Sequence, residues 1–287
     1  MTDASALIED HRAAGRSFVA QGVRSFTRSA GEGDPVLLVH GLPASSFLYR
    51  KVIPELAARS LRPVAVDLPG LGLADTPADF DYRITGLGDW LTRAVDALEL
   101  ERFHLVVHDA GGPVGFELAR RVPARVRSLT ILDTVVALPT KPFPGEIYSR
   151  RARHVGRIMG SPRLWRLMMR RVGVADARAI SDAEIDAYRL LALGEHAGEG
   201  YLNIMRRLRE HDAVGTYHDV VDHRRVDYPV QVLWGGSDPI LALRTRGMEM
   251  LAATGLDTMT VVEGRHYLQE EAAPQIAAAV RRLADRS

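Results

Sequence analysis

The clearest chemical signal in the sequence is an acidic residue at the tip of a sharp turn. An apolar run, residues 103–107, leads directly into the segment HDAGG (108–112), and a helical pattern follows at once. Small residues of this kind allow a strand to turn sharply into a helix and lift the side chain at the tip above a sheet. The N–H groups that begin the helix favour a negative charge there. Asp109 is therefore a candidate nucleophile, although an aspartate at this position can also simply cap the helix.

Two further polar residues follow predicted strands downstream of Asp109. The apolar run 230–234 leads into GGSDP, which contains Asp238, and the run 259–262 leads into EGRH, which ends at His266. Ligands of open parallel sheets bind beyond the carboxyl ends of the strands, so all three side chains are expected at the same edge. Their order along the chain is nucleophile, acid, histidine. We predict that they form a catalytic triad, with Asp133, at the end of the run 129–132, as the alternative acid.

A fourth segment supplies hydrogen-bond donors. The apolar run 36–39 is followed by HGLP, residues 40–43. This turn is expected to bring the N–H of Leu42 beside the nucleophile, where it would form an oxyanion hole together with the N–H of Ala110. His40 and His108 are predicted to support these turns and not to react.

The elements that position these residues follow from the apolar pattern. Short runs rich in Val, Leu and Ile alternate with helical stretches, which is typical of a mostly parallel sheet covered on both faces. From about residue 139 to residue 227 no strand-like run occurs and the pattern is helical. We therefore predict a core formed by residues 1–138 and 228–287, with a helical cap, residues 139–227, inserted into it. The predicted strands are residues 36–39, 63–66, 103–107, 129–132, 230–234 and 259–262, and the predicted helices of the core are residues 84–98, 113–121 and 274–284.

Composition limits the classes of function. The 287 residues contain 37 Lys and Arg against 36 Asp and Glu, a balance that argues against a nucleic-acid or membrane-surface partner. The absence of cysteine excludes disulfides and a thiol nucleophile. No secretion signal and no apolar run of about 20 residues is present, so we expect a soluble, cytoplasmic monomer or homodimer. No metal-binding, phosphate-binding or dinucleotide motif occurs, and we expect a small, mainly apolar substrate and no cofactor.

These segments resemble the α/β-hydrolase superfamily, specifically the branch that holds haloalkane dehalogenases and epoxide hydrolases. The resemblance covers nearly the full length and rests on HGLPASSFLYR (40–50), DLPGLGLAD (67–75), HDAGG (108–112), GGSDP (235–239) and RHYLQEE (265–271). It implies an α/β-hydrolase fold, a mostly parallel sheet flanked by helices with an inserted helical cap. It also implies that Asp109 attacks carbon to form an alkyl ester, and that His266, oriented by Asp238, activates the water that hydrolyses this ester.

The chain departs from the dehalogenases in the side chains that hold the leaving halide. Ala110 stands where these enzymes have a tryptophan, and Leu42 stands where many of them have an asparagine. Val172 aligns with a tryptophan of the cap. Each lost hydrogen bond to an ion is worth roughly 1.5–3 kcal/mol, so the substitutions argue against ordinary dehalogenation.

The epoxide hydrolases need an acid in the cap instead, which is usually tyrosine. Met205 stands at one of their tyrosine positions, so the candidate acids are Tyr148, Tyr188 and Tyr201, and Trp165 is a candidate pocket residue; each of them could instead be a packing residue. Three functions remain open: an epoxide hydrolase, which the substitutions favour, a dehalogenase with an atypical halide site, and a ligand-binding homologue without turnover.

Overall fold

The computed structural model describes residues 3–137, 160–208 and 217–287, and its centre is one eight-stranded sheet. The strand order is β1-β2-β4-β3-β5-β6-β7-β8. β2 is antiparallel to both β1 and β4, and all the other pairs are parallel. The fold class predicted from the sequence is thereby confirmed. The strands are β1 (Gly15–Ala20), β2 (Val23–Ser29), β3 (Asp34–Val39), β4 (Leu61–Val66), β5 (Phe103–His108), β6 (Val126–Leu132), β7 (Val230–Gly235) and β8 (Thr260–Val262).

Helices cover both faces of the sheet. Successive side chains of a strand point to opposite faces, so in β3 Leu37 and Val39 join one hydrophobic cluster while Val36 and Leu38 join the other. In the part of the chain that the structure describes, the helices are α1 (Asp3–Ala13), α2 (Val52–Ala57), α3 (Ile84–Ala97), α4 (Gly111–Arg121), α5 (Pro162–Met168), α6 (Asp182–Leu193), α7 (Glu199–Arg207), α8 (His218–Val221), α9 (Met248–Thr254), α10 (Leu268–Glu271) and α11 (Ala273–Ala284). None of these helices is long and apolar enough to cross a membrane.

Among the described residues, four helices, α5 to α8, lie in the chain between β6 and β7. We call residues 160–208, which carry α5 to α7, the insertion. The buried side chains of α5 and α6, among them Trp165 and Tyr188, belong to the same hydrophobic cluster as Val36 of β3. Those of α7, Ile204 and Met205, belong to the cluster on the other face of the sheet. The insertion therefore packs directly on the sheet-and-helix core. Helix α8, which follows it, packs against α4 and α9 instead. The division of the chain into core and cap stays a prediction.

Candidate active site

Asp109 lies at the turn between β5 and α4, where the backbone is strained. Its φ angle is +50°, in the left-handed region that residues with a side chain rarely adopt. Three hydrogen bonds hold this conformation: the N–H of Asp109 donates to the carbonyl of Asp133 at 3.0 Å, and its carbonyl accepts from the N–H of Gly112 at 2.9 Å and from the hydroxyl of Thr134. Because β5 is buried along its whole length, the strained turn is supported by the centre of the sheet.

The carboxylate of Asp109 is approached by backbone donors. The N–H of Leu42 donates to Oδ2 of Asp109 at 2.7 Å. The preceding residue must be glycine, because a Cβ on Gly41 would lie 2.3 Å from this Oδ2 and 2.8 Å from the nitrogen of Ala110. The N–H of Ala110 donates to no described residue. One oxygen of the carboxylate is thus held by an N–H group, with a second N–H close by.

His266 and Asp238 form a buried pair on the loops after β8 and β7. Nδ1–H of His266 donates to Oδ2 of Asp238 at 2.8 Å, and Oδ1 of Asp238 accepts from the N–H groups of Ile240 and Leu241 at 2.7 and 3.0 Å. With Nδ1 carrying the proton, Nε2 is the acceptor of the neutral ring. Nε2 lies 3.7 Å from Oδ1 of Asp109, which is too long for a hydrogen bond. The imidazole therefore faces the candidate nucleophile without being bonded to it.

The charges of this site favour proton binding by His266. Burial disfavours the imidazolium, but the hydrogen bond to Asp238 and the negative charges of Asp238 and Asp109 raise the pKa of His266 to about 9. For Asp238 burial opposes ionisation, yet the bond to His266 keeps the pKa of this carboxyl below its ordinary value. Nε2 of His266, which faces Asp109, is therefore a strong proton acceptor.

Asp133, the alternative acid, occupies a different environment. It is completely buried, its Oδ1 accepts from the N–H of Gly235 at 2.9 Å, and its Oδ2 has no partner among the described residues. Burial and the charge of Asp238 raise the pKa of Asp133 well above its ordinary value. Nδ1 of His266 bonds to Asp238, whereas neither oxygen of Asp133 bonds to the imidazole, so the geometry favours Asp238 as the partner of His266.

The two neighbouring histidines are tied to backbone groups. His108 donates from Nε2 to the carbonyl of His266 at 2.8 Å, and burial and the charge of His266 lower the pKa of His108 to about 4. His40 accepts from the N–H of Leu68 at 3.1 Å, and burial lowers its pKa as well. Both imidazoles are therefore neutral, and their hydrogen bonds connect the loops of the site.

Two tyrosines, Tyr201 and Tyr267, lie close enough to Asp109 for its charge to act on their hydroxyl groups. Tyr267 follows His266, and the centres of the two rings are 5.8 Å apart. Tyr201 lies in the first turn of α7, next to Gly200, which packs so closely on the loop after β4 that a Cβ would lie 2.0 Å from the carbonyl oxygen of Gly70. Burial and then the charge of Asp109 raise the pKa of Tyr201 to about 12 and also raise that of Tyr267. Neither hydroxyl bonds to a residue that the structure describes.

Tyr267 was not among the candidates from the sequence. Its position in the sequence could have indicated it, since the residue directly after the histidine on a short loop lies near the reacting groups. The other candidates are engaged elsewhere: the hydroxyl of Tyr188 donates to Glu270 at 2.5 Å and accepts from Arg50 at 3.2 Å, and the indole N–H of Trp165 donates to the carbonyl of Ile185 at 3.0 Å. Tyr148 lies outside the described residues.

Comparison with known proteins identifies relatives of the whole chain. Residues 34–273 match the family described as alpha/beta hydrolase fold. A haloalkane dehalogenase of Sphingobium indicum is 31% identical over 268 residues, which are 87% of this chain and 88% of that protein. An uncharacterized hydrolase of Saccharomyces cerevisiae, YNR064C, is 38% identical over 113 residues, only 39% of either chain. The solved structure of the epoxide hydrolase CorEH has a TM-score of 0.75 and 21% identity, and the match covers 95% of this chain and 98% of that one, which shows a shared fold.

Proposed function

The chain belongs to the α/β-hydrolase fold family, within the branch that contains haloalkane dehalogenases, and is a hydrolase; from this premise we propose that it opens epoxides through an ester of Asp109. The observation that carries the proposal is the pair of tyrosines, Tyr201 and Tyr267, on which the charge of Asp109 acts and whose hydroxyls bond to no described residue. The roles of the individual residues follow from the two steps of such a reaction.

In the first step the carboxylate of Asp109 attacks a carbon of the epoxide ring. Its two oxygens are not equivalent, because Oδ2 accepts the N–H of Leu42 whereas Oδ1 lies on the side of His266. We assign the attack to Oδ1. The new bond joins Oδ1 to the carbon, the carbon–oxygen bond of the ring breaks, and Oδ2 becomes the carbonyl oxygen of the ester.

The oxygen released from the ring needs a proton. The hydroxyls of Tyr201 and Tyr267 are the donors that fit, since their raised pKa values keep them protonated at neutral pH. The side chains at the halide-binding positions of dehalogenases offer no such donor, since Ala110, Leu42 and Val172 are alkyl. Hydroxyl groups therefore stabilise the leaving oxygen, and the product of this step is an alcohol esterified to Asp109.

In the second step water attacks the ester carbonyl. Nε2 of His266 takes a proton from this water, and the charge of Asp238 stabilises the imidazolium that forms. The developing negative charge lies on Oδ2, where the N–H of Leu42 is already in place and the N–H of Ala110 is available. The bond between Cγ and Oδ1 then breaks, and the imidazolium of His266 gives its proton to Oδ1, which leaves as part of the diol. The proton on the new carboxyl oxygen replaces the one that the tyrosine gave up in the first step, so Asp109 and the tyrosine are both regenerated.

Halide release is the second candidate, because the relative with 31% identity is a dehalogenase. The same two hydroxyls could donate to a halide in place of an alkoxide. The two candidates differ in their need for a proton: an alkoxide must be protonated, whereas a halide ion only needs to be solvated.

A substrate panel with tyrosine variants tests the proposal. We expect turnover of small apolar epoxides and no halide release from chloro- or bromoalkanes of the same size. Tyr201→Phe and Tyr267→Phe together should lower epoxide turnover about 10²–10³-fold, because both proton donors are lost. The control is Tyr228→Phe, whose buried hydroxyl bonds to the carbonyl of Val220 away from the site. Faster turnover of haloalkanes would contradict epoxide opening, and a double variant that is fully active on epoxides would contradict the role of the two tyrosines as proton donors. No turnover of either class would indicate a binding protein.

The choice between the two acids is tested by paired substitutions. Asp238→Asn should lower turnover about 10²–10³-fold, since the imidazolium loses its counter-charge and the amide favours the wrong tautomer of His266. Asp133→Asn should stay within about threefold of the parent, because the side chain does not bond to His266 and the amide oxygen can still accept the N–H of Gly235. Steady-state rates of both variants are the measurement. If Asp133→Asn lowers turnover more than Asp238→Asn does, Asp133 is the acid that orients His266.

A further inference from the structure

The loop that carries His266 is attached to the insertion at several points. We call residues 264–271 the base loop and residues 169–176 of the insertion the docking segment. The docking segment begins with a short π-helical turn, Met169–Gly173, that directly continues α5. It is far in sequence from the base loop and contributes no group to the reaction described above.

The peptide group that joins His266 to Tyr267 is held from both sides. Its carbonyl accepts from Nε2 of His108 at 2.8 Å, and its N–H donates to the carbonyl of Gly173 at 2.8 Å. The first partner precedes the nucleophile and the second belongs to the docking segment. Because the peptide group is planar, two hydrogen bonds on opposite sides fix its orientation, and the direction of the His266 side chain follows from it.

Arg265 adds a second attachment before the histidine. Nη1 of its guanidinium lies 3.1, 2.7 and 3.2 Å from the backbone carbonyls of Arg170, Arg171 and Val174, so its two N–H groups are shared among three acceptors of the docking segment. These carbonyls lie at the end of the π-helical turn, where no further turn of helix is available to bond them. The charged N–H groups of Arg265 therefore hold the end of this turn against the base loop.

Glu271 adds a third attachment after the histidine. Its Oε1 accepts from the N–H groups of Ala175 and Asp176, both at 2.8 Å, and its Oε2 accepts from the N–H of Arg265 at 2.9 Å. One carboxylate thus joins the two ends of the base loop to each other and to the docking segment. All its bonds are charge-assisted, which makes them stronger than neutral ones.

We propose that the docking segment positions the general base, with Arg265 and Glu271 as the positioning residues, and that this attachment serves ester hydrolysis more than ester formation. The inference rests on the two-step reaction proposed above. Ester formation uses the turn that carries Asp109 and has two proton donors, one of which, Tyr201, lies on α7 outside the base loop. Hydrolysis has a single base, His266, and displacement of a reacting group by about 1 Å can cost 10²-fold in rate.

Single-turnover kinetics of matched variants test the proposal. In Glu271→Gln one oxygen is replaced by an NH₂ group, which cannot accept from the backbone N–H groups, and Arg265→Met removes the guanidinium but keeps an unbranched chain. We expect the ester to decay about 10- to 100-fold more slowly in each variant, while it forms within about threefold of the parent rate. The ester then accumulates during turnover, so kcat and KM fall together. Quenched samples analysed by intact mass give both rates.

Two exposed residues of the same segments provide controls. Glu263→Gln, just before the base loop, and Arg171→Met, within the docking segment, change the same kinds of side chain without removing a side-chain bond to a described residue. Both should keep the parent rates of ester formation and decay. Circular dichroism and thermal melting establish that each variant is folded, and a folded Arg265→Met decides the question if Glu271→Gln does not fold.

Hydrogen exchange measures the attachment without using a substrate. In both positioning variants we expect faster exchange of amides in residues 264–272 and 170–176, with β5 unchanged. If the ester decays at the parent rate in both variants, or if its formation and its decay slow by the same factor, Arg265 and Glu271 do not position the base. If His266→Gln never carries an adduct, the proposed function itself fails; if it does and Glu271→Gln decays at the parent rate, only the docking proposal fails.

Discussion

Replacement of Asp109 by Asn is expected to lower turnover by about 10⁴–10⁶-fold, the effect of removing a covalent nucleophile. An amide oxygen attacks carbon poorly because its electron pair is delocalised and it carries no charge. The variant should fold like the parent, since the Asn oxygen can still accept the N–H of Leu42 and its backbone can adopt the left-handed conformation of this turn. Initial rates and thermal melting of freshly prepared protein are the measurements.

Deamidation gives this prediction an internal check. Hydrolysis of the introduced amide restores the carboxylate and the parent mass, and activity should return in proportion to that species. Asp96→Asn, an exposed position on α3 remote from the turn, is the matched control and should keep the parent rate. Full activity of the Asp109→Asn variant at once, without any change of mass, would show that another group attacks the substrate.

The parallel part of the sheet could be predicted because its strands, apart from the short edge strand β8, are buried on both faces. Such strands are continuous apolar runs, and the six predicted runs coincide with β3 to β8. The hairpin of β1 and β2 was missed. β1 is the edge strand, and both strands mix exposed and buried residues, with Arg16, Arg24 and Arg28 among them, so neither forms a continuous apolar run. Its turn, Gln21-Gly22, has two positive φ angles, for which Asn-Gly would be the clearer signature.

The candidate site could be predicted as a set of loops but not as a set of contacts. Parallel topology requires Asp109, Asp238 and His266 to lie at one edge of the sheet, and that much follows from their positions after strands. Which of two buried acids bonds to the histidine depends on a few ångströms of loop geometry. The same holds for Tyr267 and for the bonds of Arg265 and Glu271, because these bonds cross between segments about 95 residues apart, and no local pattern encodes such pairing.

Replacement of His266 by Gln is expected to separate the two steps. The side chain of Gln is polar and of similar size but cannot take a proton from water, so ester formation should continue while ester decay slows about 10⁴-fold. Intact mass then identifies both the mechanism and the substrate class. An epoxide adds its whole mass to the protein, whereas a haloalkane adds its mass less that of HX. A protein that binds without reacting gains no mass.

The pH dependence of ester decay in the parent enzyme gives an independent test of the same residue. Asp238 and Asp109 together raise the pKa of His266 to about 9 in the free enzyme. Ester formation neutralises Asp109, which removes one of these charges, so the pKa of His266 in the ester must be lower than in the free enzyme. Since the neutral imidazole is the base, the decay rate should rise with pH through that lower pKa and become constant above it. A decay rate independent of pH from about 5 to 9, or rapid decay in His266→Gln, would mean that water is activated by a different group.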